Sequence, residues 1–425
     1  MKIKLDYGEK GVTVDVPDAN LVKVLSMKQG QPVANPSEAI AAALENPVGC
    51  EPLSQIAKGK KDACVVICDI TRPVPNALIL PEILNNLESS GIPREKITIL
   101  IATGIHRPNE GEELVRLVGR EIAENYNIEN HFARRYETHT HLGKTGRGTD
   151  VFVNSTYVDA DLKITTGFIE PHLMAGFSGG RKLICPGISS LKTVKVMHSP
   201  QILEHDNARE GVIEGNPFHN ESLEIAKMAG MDFMLNVALD ENRNITGIFA
   251  GDLERAHADG VAHVRGHVRD TLSEEADIVI TSAAGYPLDT TFYQAVKGLT
   301  AALPVVKHGG TIILAAECRE GLGSPEFTQL VHDVDDPDQF MEDIYSDDYF
   351  VVDQWQFEEL VKVLRKAKVY LYAEGVKQAD EPKVPVIRVM SVEEGIERAL
   401  RQYGEDASIA VIPRGPYILA EIENE

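Results

Sequence analysis

A chain of 425 residues that is 43% hydrophobic and 25% charged has an ordinary globular composition and enough length for more than one core. Its net charge of −23 is the wrong sign for a general binder of nucleic-acid backbones. No apolar run reaches membrane-spanning length, the start MKIKLDYGEKGVTVDVP has no signal-peptide core, and the five cysteines (Cys50, Cys64, Cys68, Cys185, Cys318) form no CxxC pair, so a cytoplasmic protein with reduced thiols and neither a nucleic-acid nor a membrane partner is expected.

The opening segment alternates like a hairpin. After it, short Val/Ile-rich runs alternate with helical patterns, the signature of βαβ units around mostly parallel sheets. Strands are expected at Ala63–Cys68 (ACVVIC), Ile97–Ala102 (ITILIA), Leu162–Thr166 (LKITT), Ile278–Thr281 (IVIT) and Thr311–Ala316 (TIILAA), mostly continuous apolar runs as buried parallel strands require. DITRPVP follows the first, TGIHRPNEGEEL the second, GFIEPHLMAGFSGGRK the third and SAAGYPLDTTFYQAVKG the fourth. Polar, glycine- and proline-rich loops at the carboxyl ends of parallel strands are where open α/β sheets bind ligands, so these four are expected to converge on one crevice. A boundary is expected near residues 268–275 (HVRDTLSE) and a second crossing near 376–396, with one more strand in the tail SIAVIPRGPYILA, 408–420. Two α/β domains with a cleft between them follow, and that cleft is the default site.

Within residues 167–187, GFIEPHLMAGFSGGRKLICPG, the glycines Gly176, Gly179 and Gly180 let backbone amides approach an anion closely. GFSGGRKL nevertheless departs from a Walker A loop where Arg181 and Leu183 stand, and no GxGxxG follows a strand, so both common nucleotide fingerprints are absent. The plain alternative is a tight turn with a solvated Arg-Lys pair. Against it, Leu183, Ile184, Cys185 and Pro186 follow Lys182 and argue for a partly desolvated amine, a candidate for covalent attachment. His131, His139 and His141, and the helix-spaced His263 and His267, have no third ligand at a recognised spacing, and HExxH is absent, so a zinc hydrolase has weak support. His106 and His172 occupy loops after strands, and His198 ends a helix-like run. Arg72 is a bidentate donor suited to a carboxylate, and Asp69, three residues earlier, can orient it or a histidine, or be a turn residue only. Tyr293 and Lys297 share a helix face, with Gln294 beside them or on an exposed first turn. Trp355, the only tryptophan, walls a pocket or packs in a core.

Together, DITRPVP, GIHRP, EPHLMAGFSGGRKxxxPG, MHSP, GYPLDTTFYQAVKG and DQWQ resemble, in order and over nearly the whole chain, the nickel-pincer lactate racemase family of cytosolic 2-hydroxyacid racemases and epimerases. The resemblance implies a cofactor-binding and catalytic domain formed by residues 1–272 with 397–425, a second α/β domain at 273–396, and a C-terminal segment that returns to the first domain. It implies a nickel-pincer nucleotide, pyridinium-3-thioamide-5-thiocarboxylic acid mononucleotide, made by cofactor-biosynthesis proteins and tethered as a thioamide to Lys182. His198 would complete the nickel's ligands, a chemically sensible partner for soft sulfur. His106 and His172 would be the acid/base pair, assisted by Arg72 and Asp69. Arg72, Gly176, Gly179, Gly180 and Tyr293 would contact the cofactor, and Arg72, Gln294, Lys297 and Trp355 the substrate.

The implied substrate is a small 2-hydroxycarboxylate such as lactate, with malate or a longer or aromatic acid as the alternative. Proton abstraction beside a carboxylate faces a steep barrier, and hydride transfer through a 2-keto acid avoids it. Two histidines with ordinary pKa values of ~6.5 can exchange roles at neutral pH. A nucleotide-binding protein without turnover is the alternative of a different class. The basic segment ARRYETHTHLGKTGRGT, residues 133–149, matches no motif of the lactate enzymes and reads as a solvated loop rather than a receptor for a second carboxylate.

Overall fold

The computed structural model describes every residue except 347, 378, 379, 381, 382, 424 and 425. The opening residues fold back as expected, β1 (Lys2–Leu5) against β2 (Val12–Asp15), and β3 (Leu21–Val24) follows. The apolar runs become β4 (Ala63–Cys68) and β5 (Ile97–Ala102), followed by β6 (Asn127–Asn130), a hairpin of β7 (His139–Lys144) with β8 (Asp150–Asn154), and β9 (Lys163–Phe168). A two-residue pairing of β10 (Pro171–His172) with β11 (Gly176–Phe177) precedes β12 (Phe233–Leu239) and β13 (Ile245–Gly251). The first sheet runs β13-β12-β9-β4-β5-β6 and is parallel except at its β12–β13 edge.

Beyond helix Leu253–Val268 come β14 (Arg269–Leu272), β15 (Ala276–Ser282), β16 (Val306–Ala315), β17 (Lys368–Tyr372), β18 (Val386–Arg388), β19 (Ile409–Ile412) and β20 (Leu419–Ile422). The second sheet, β18-β17-β16-β15-β19-β3, is parallel throughout. Separate apolar clusters line the sheets, one around Val65, Ile99 and Leu235 and another around Val279, Ile312 and Val369. The protein is thus an α/β fold of two sheet-centred units. No helix among the described residues is long and apolar enough to cross a membrane.

Chain order fixes where a site can form. In the first sheet the connections diverge between neighbouring β4 and β9, and in the second between β15 and β19; a crevice opens at the carboxyl ends of strands at such switch points. The loops after β4, β9 and β15 are the polar segments singled out in the sequence.

The two chain ends differ from expectation. Residues 397–425 return to the first unit only from Arg414 onward: Arg414 donates to the Glu241 carbonyl, Tyr417 packs on the first unit's core, β20 pairs with β14, and Leu419 packs with Ile169, Phe177, Val264 and Val268. The preceding β19 is buried along its whole length and lies in the second sheet, because an IAVI strand needs both faces covered. At the other end β3 closes that same sheet's edge, and Ile3, Leu5, Tyr7, Val14 and Val16 pack with Ile280, Ile313 and Val411. The opening residues therefore belong with the second unit. Of the expected crossing at 376–396, positions 378, 379, 381 and 382 lie outside the described residues.

Candidate active site

The loop after β4 carries Asp69 and Arg72, and the loop after β5 carries His106. Asp69 Oδ2 lies 2.7 Å from His106 Nδ1, so the ring donates there and keeps a lone pair on Nε2. Burial alone would raise the Asp69 carboxyl, but His106, the Thr71 hydroxyl and Arg72 together hold it below the usual carboxylate range. Arg72 Nε meets Glu170 Oε1 at 3.2 Å, and burial leaves Glu170 raised despite that cation.

The second unit completes the line. Helix Phe292–Thr300, capped by the Thr291 hydroxyl, presents Gln294 and Lys297. Lys297 Nζ donates to Gln294 Oε1 at 2.5 Å, which orients the amide so that its NH2 stands 3.3 Å from His106 Nε2. Lysine, glutamine, histidine and aspartate form one directed chain across the cleft. Burial, with Arg72 adding to it, pushes the Lys297 amine well down.

His172 is fixed differently. In the tight β10–β11 turn its Nδ1 accepts from the amides of Met174 at 3.2 Å and Ala175 at 3.3 Å, so the neutral ring carries its proton on Nε2. Burial, reinforced by Lys182, Lys297 and Arg72, keeps that ring uncharged at neutral pH. The two histidines therefore rest in opposite tautomers, His106 with its Nε2 lone pair turned to the Gln294 amide and His172 with its proton on Nε2.

His198 sits at the end of helix Leu191–Met197, where its Nδ1 donates to the Val194 carbonyl at 2.9 Å, which leaves the lone pair on Nε2. Burial pushes it down to about 3, which keeps the imidazole neutral as a metal requires. The ring packs 4.8 Å from Trp355 and 5.0 Å from Phe218 between centroids, and Lys182 Nζ stands 5.0 Å over the same Phe218. Trp355 Nε1 in turn donates to Tyr293 at 3.1 Å. Burial, with Arg181 and Arg72 beside it, pushes the Lys182 amine well down, toward its neutral nucleophilic form.

One cavity of about 150 Å³ is lined by Asp69, Arg72, His106, His172, Gly179, Lys182, His198, Tyr293, Gln294, Lys297 and Trp355 together. Gly176 and Gly180 do not line it. Gly176, at φ +75°, is required because a Cβ would meet the Val212 carbonyl oxygen at 2.0 Å. The amide of Gly180 is already donated to Asn236 Oδ1 at 2.8 Å, so it is not free for an anion. Gly176 and Gly180 thus shape the loop, and Gly179 faces the cavity.

Several participants went unassigned in the sequence. Glu170 stood inside the quoted EPH motif, next but one to His172, and that position was the available signal. Arg181 is fully buried and donates to the carbonyls of Ala175 and Phe177, both at 2.8 Å, which ties the glycine loop into one piece. Its basic neighbour had drawn attention only as a tether. Segment 133–149 is an ordered hairpin rather than a solvated loop: Thr145 and Thr149 donate to buried Glu221 at 2.6 and 2.5 Å, and Arg134 reaches Glu326 of the second unit at 2.6 Å. Of its histidines, His139 packs on His131 before the segment and His141 on Phe152 after it, and among the described residues no cluster of three His, Cys, Asp or Glu side chains is placed to hold a metal.

A cleft between two parallel-sheet units, with imidazoles facing one cavity from separate loops, defines a two-domain α/β enzyme. The comparisons narrow the class. Residues 7–211 match the model of the lactate racemase N-terminal domain, and residues 271–419 that of the lactate racemase C-terminal domain. The lactate racemase of Thermoanaerobacterium thermosaccharolyticum is 36% identical over 421 residues, 98% of either chain, and that of Lactiplantibacillus plantarum is 36% identical over 418 residues, 97% of this chain and 98% of that one. The structure of the former's apoprotein superposes with a TM-score of 0.91 at 34% identity, over 99% of this chain and all of the other. A Thermotoga maritima protein at 19% identity, TM-score 0.72, shares the fold. The chain belongs to the lactate racemase family and is a racemase, an isomerase.

Proposed function

We propose that the protein interconverts the enantiomers of a small 2-hydroxycarboxylate, lactate first, using a nickel-pincer nucleotide held on Lys182 and His198. The carrying observation is the pair of histidines in opposite tautomers in one cavity with Lys182 and His198. The residues present fit the group: a neutral amine for the tether, a buried imidazole whose tautomer leaves one ligand nitrogen, and aromatic walls from Phe218 and Trp355. When bound, it supplies reversible hydride acceptance from a carbon bearing a hydroxyl.

The chain's own side chains do the rest. Arg72 supplies positive charge for the substrate carboxylate, and the Lys297 amine stands beside it as a hydrogen-bond donor. His106, oriented by Asp69, takes the hydroxyl proton at Nε2 from one enantiomer, and Gln294 gives up its bond to that nitrogen as the hydroxyl arrives. On the other side His172 donates a hydrogen bond from Nε2 to the substrate oxygen without parting with its proton, and the proton held on His106 Nε2 is the one returned to oxygen when the alcohol re-forms, which leaves both rings as they began. Two separately held imidazoles keep a partner for the oxygen of a planar intermediate on either face. Loading depends on the proteins that build the cofactor, in the cytoplasm.

The test is intact mass and visible absorbance of protein produced with the cofactor-building proteins. Parent protein should carry added mass that peptide mapping places on Lys182, and Lys182→Ala none. Equal adduct on the variant, or none on either, would remove the tether from the account.

A further inference from the structure

Beyond His106 the cavity opens into a second chamber of about 460 Å³ that shares Asp69, Thr71, His106, Tyr293 and Gln294 with the first. Its charges contrast with those inside. The inner cavity holds Arg72, a permanent cation for one carboxylate, beside the amines of Lys182 and Lys297. The outer chamber is lined by Arg107 and Arg134 against Asp69, Glu113, Glu320, Glu326 and Asp353.

Both outer arginines are already matched. Arg107 makes a two-pronged bond to Glu113, at 2.6 and 3.0 Å, with Glu320 at 3.6 Å as a second acid. Arg134, from the hairpin segment that matched no family motif, pairs with Glu326 at 2.6 Å across the cleft. Among the described residues lining the chamber, no other lysine or arginine is present to receive a second carboxylate.

We propose that this chamber is a charge filter that admits 2-hydroxy monocarboxylates and rejects dicarboxylates of the malate class, with Glu326 the specificity-determining residue because it neutralises Arg134. The filter rests on the racemase reading above. A dianion must bring its second charge past an excess of carboxylates with no unpaired cation to meet it, an arrangement of like charges that discriminates by repulsion. Glu326→Gln keeps the shape of the side chain and frees the Arg134 guanidinium, turning a rejecting position into a receiving one.

The experiment compares lactate and malate with cofactor-loaded parent, Glu326→Gln, and the double variant Arg134→Gln/Glu326→Gln, reading the malate-to-lactate ratio of kcat/KM. The ratio should rise about tenfold in Glu326→Gln at low salt and fall back in the double variant. In the parent, discrimination should weaken as salt rises, because the chamber is open to water. The same ratio is read without turnover by titrating the emission of Trp355 with each acid. A ratio that Glu326→Gln leaves unchanged, or a gain that survives loss of Arg134, overturns the filter. Failure of the parent to racemise lactate, with the binding ratios still shifting as described, would instead overturn the racemase reading and leave the filter standing.

Discussion

The two units hold their contributions to the cavity by different means. In the first, the ring nitrogens are pinned largely by backbone: His172 by two amides, His198 by a carbonyl, and the glycine loop by Arg181 on its own carbonyls. In the second, side chains hold side chains, Trp355 on Tyr293 and Lys297 on Gln294, and the groups arrive together on two helices. Backbone pinning makes the first half's tautomers independent of the cleft. The second half's groups depend on where their helices lie, and inside the cavity the Gln294–His106 bond and the Trp355–His198 contact join them to the first half.

The comparison breaks most severely at the imidazoles. His106→Ala and His172→Ala should each lower kcat by on the order of 10²–10⁴-fold while keeping the Lys182 adduct, measured by steady-state kinetics beside intact mass. Full activity in both would detach the tautomer arrangement from catalysis. Asp69→Asn comes next, with a loss at the low end of the general acid/base range, about 10²-fold, since the amide no longer selects the His106 tautomer. Because its carboxyl is held down in the folded protein, Asp69 contributes stability that is complete above the ordinary carboxylate range and lost as pH falls through its lowered value. The Asn variant should therefore show a shallower acid limb in pH-dependent unfolding.

Tyr293→Phe probes the side-chain style of support. It leaves the buried indole N–H without an acceptor, at a cost of about 1–3 kcal/mol, and should shift the emission of the only tryptophan. The smallest effect on turnover is expected at Glu358, on the helix that carries Trp355. Both its oxygens are buried without a hydrogen bond, and burial pushes it up to about 9 from an ordinary 4.5. Its folded-state proton stabilises the protein below pH 4.5, and that contribution is lost as pH rises toward 9. Glu358→Gln should gain about 1–3 kcal/mol at pH 7 and flatten that slope in denaturant titrations.

Much of this was legible in the sequence where a residue's role follows from local pattern. β4, β5 and β9 announced themselves as apolar runs, and the loops after them carried His106, His172 and Lys182 within recognisable motifs. What escaped depended on distant partners. LVKV is too short and too polar to reveal that β3 closes the far sheet, and nothing in IAVI says which sheet it joins. The glycines of the loop looked alike, and only their neighbours, the Val212 carbonyl and Asn236, separate the packing positions from the one that faces the cavity. Arg134 read as one charge among several, because Glu326 lies 192 positions away.

Everything depends on the α-hydrogen leaving and returning without passing through water. The direct measurement is chiral analysis of single-enantiomer lactate incubated in D2O with cofactor-loaded protein, with the deuterium content of the product read by mass. Full interconversion with protium retained at Cα is the predicted result. An unchanged enantiomer, or product carrying solvent deuterium at Cα, would contradict it.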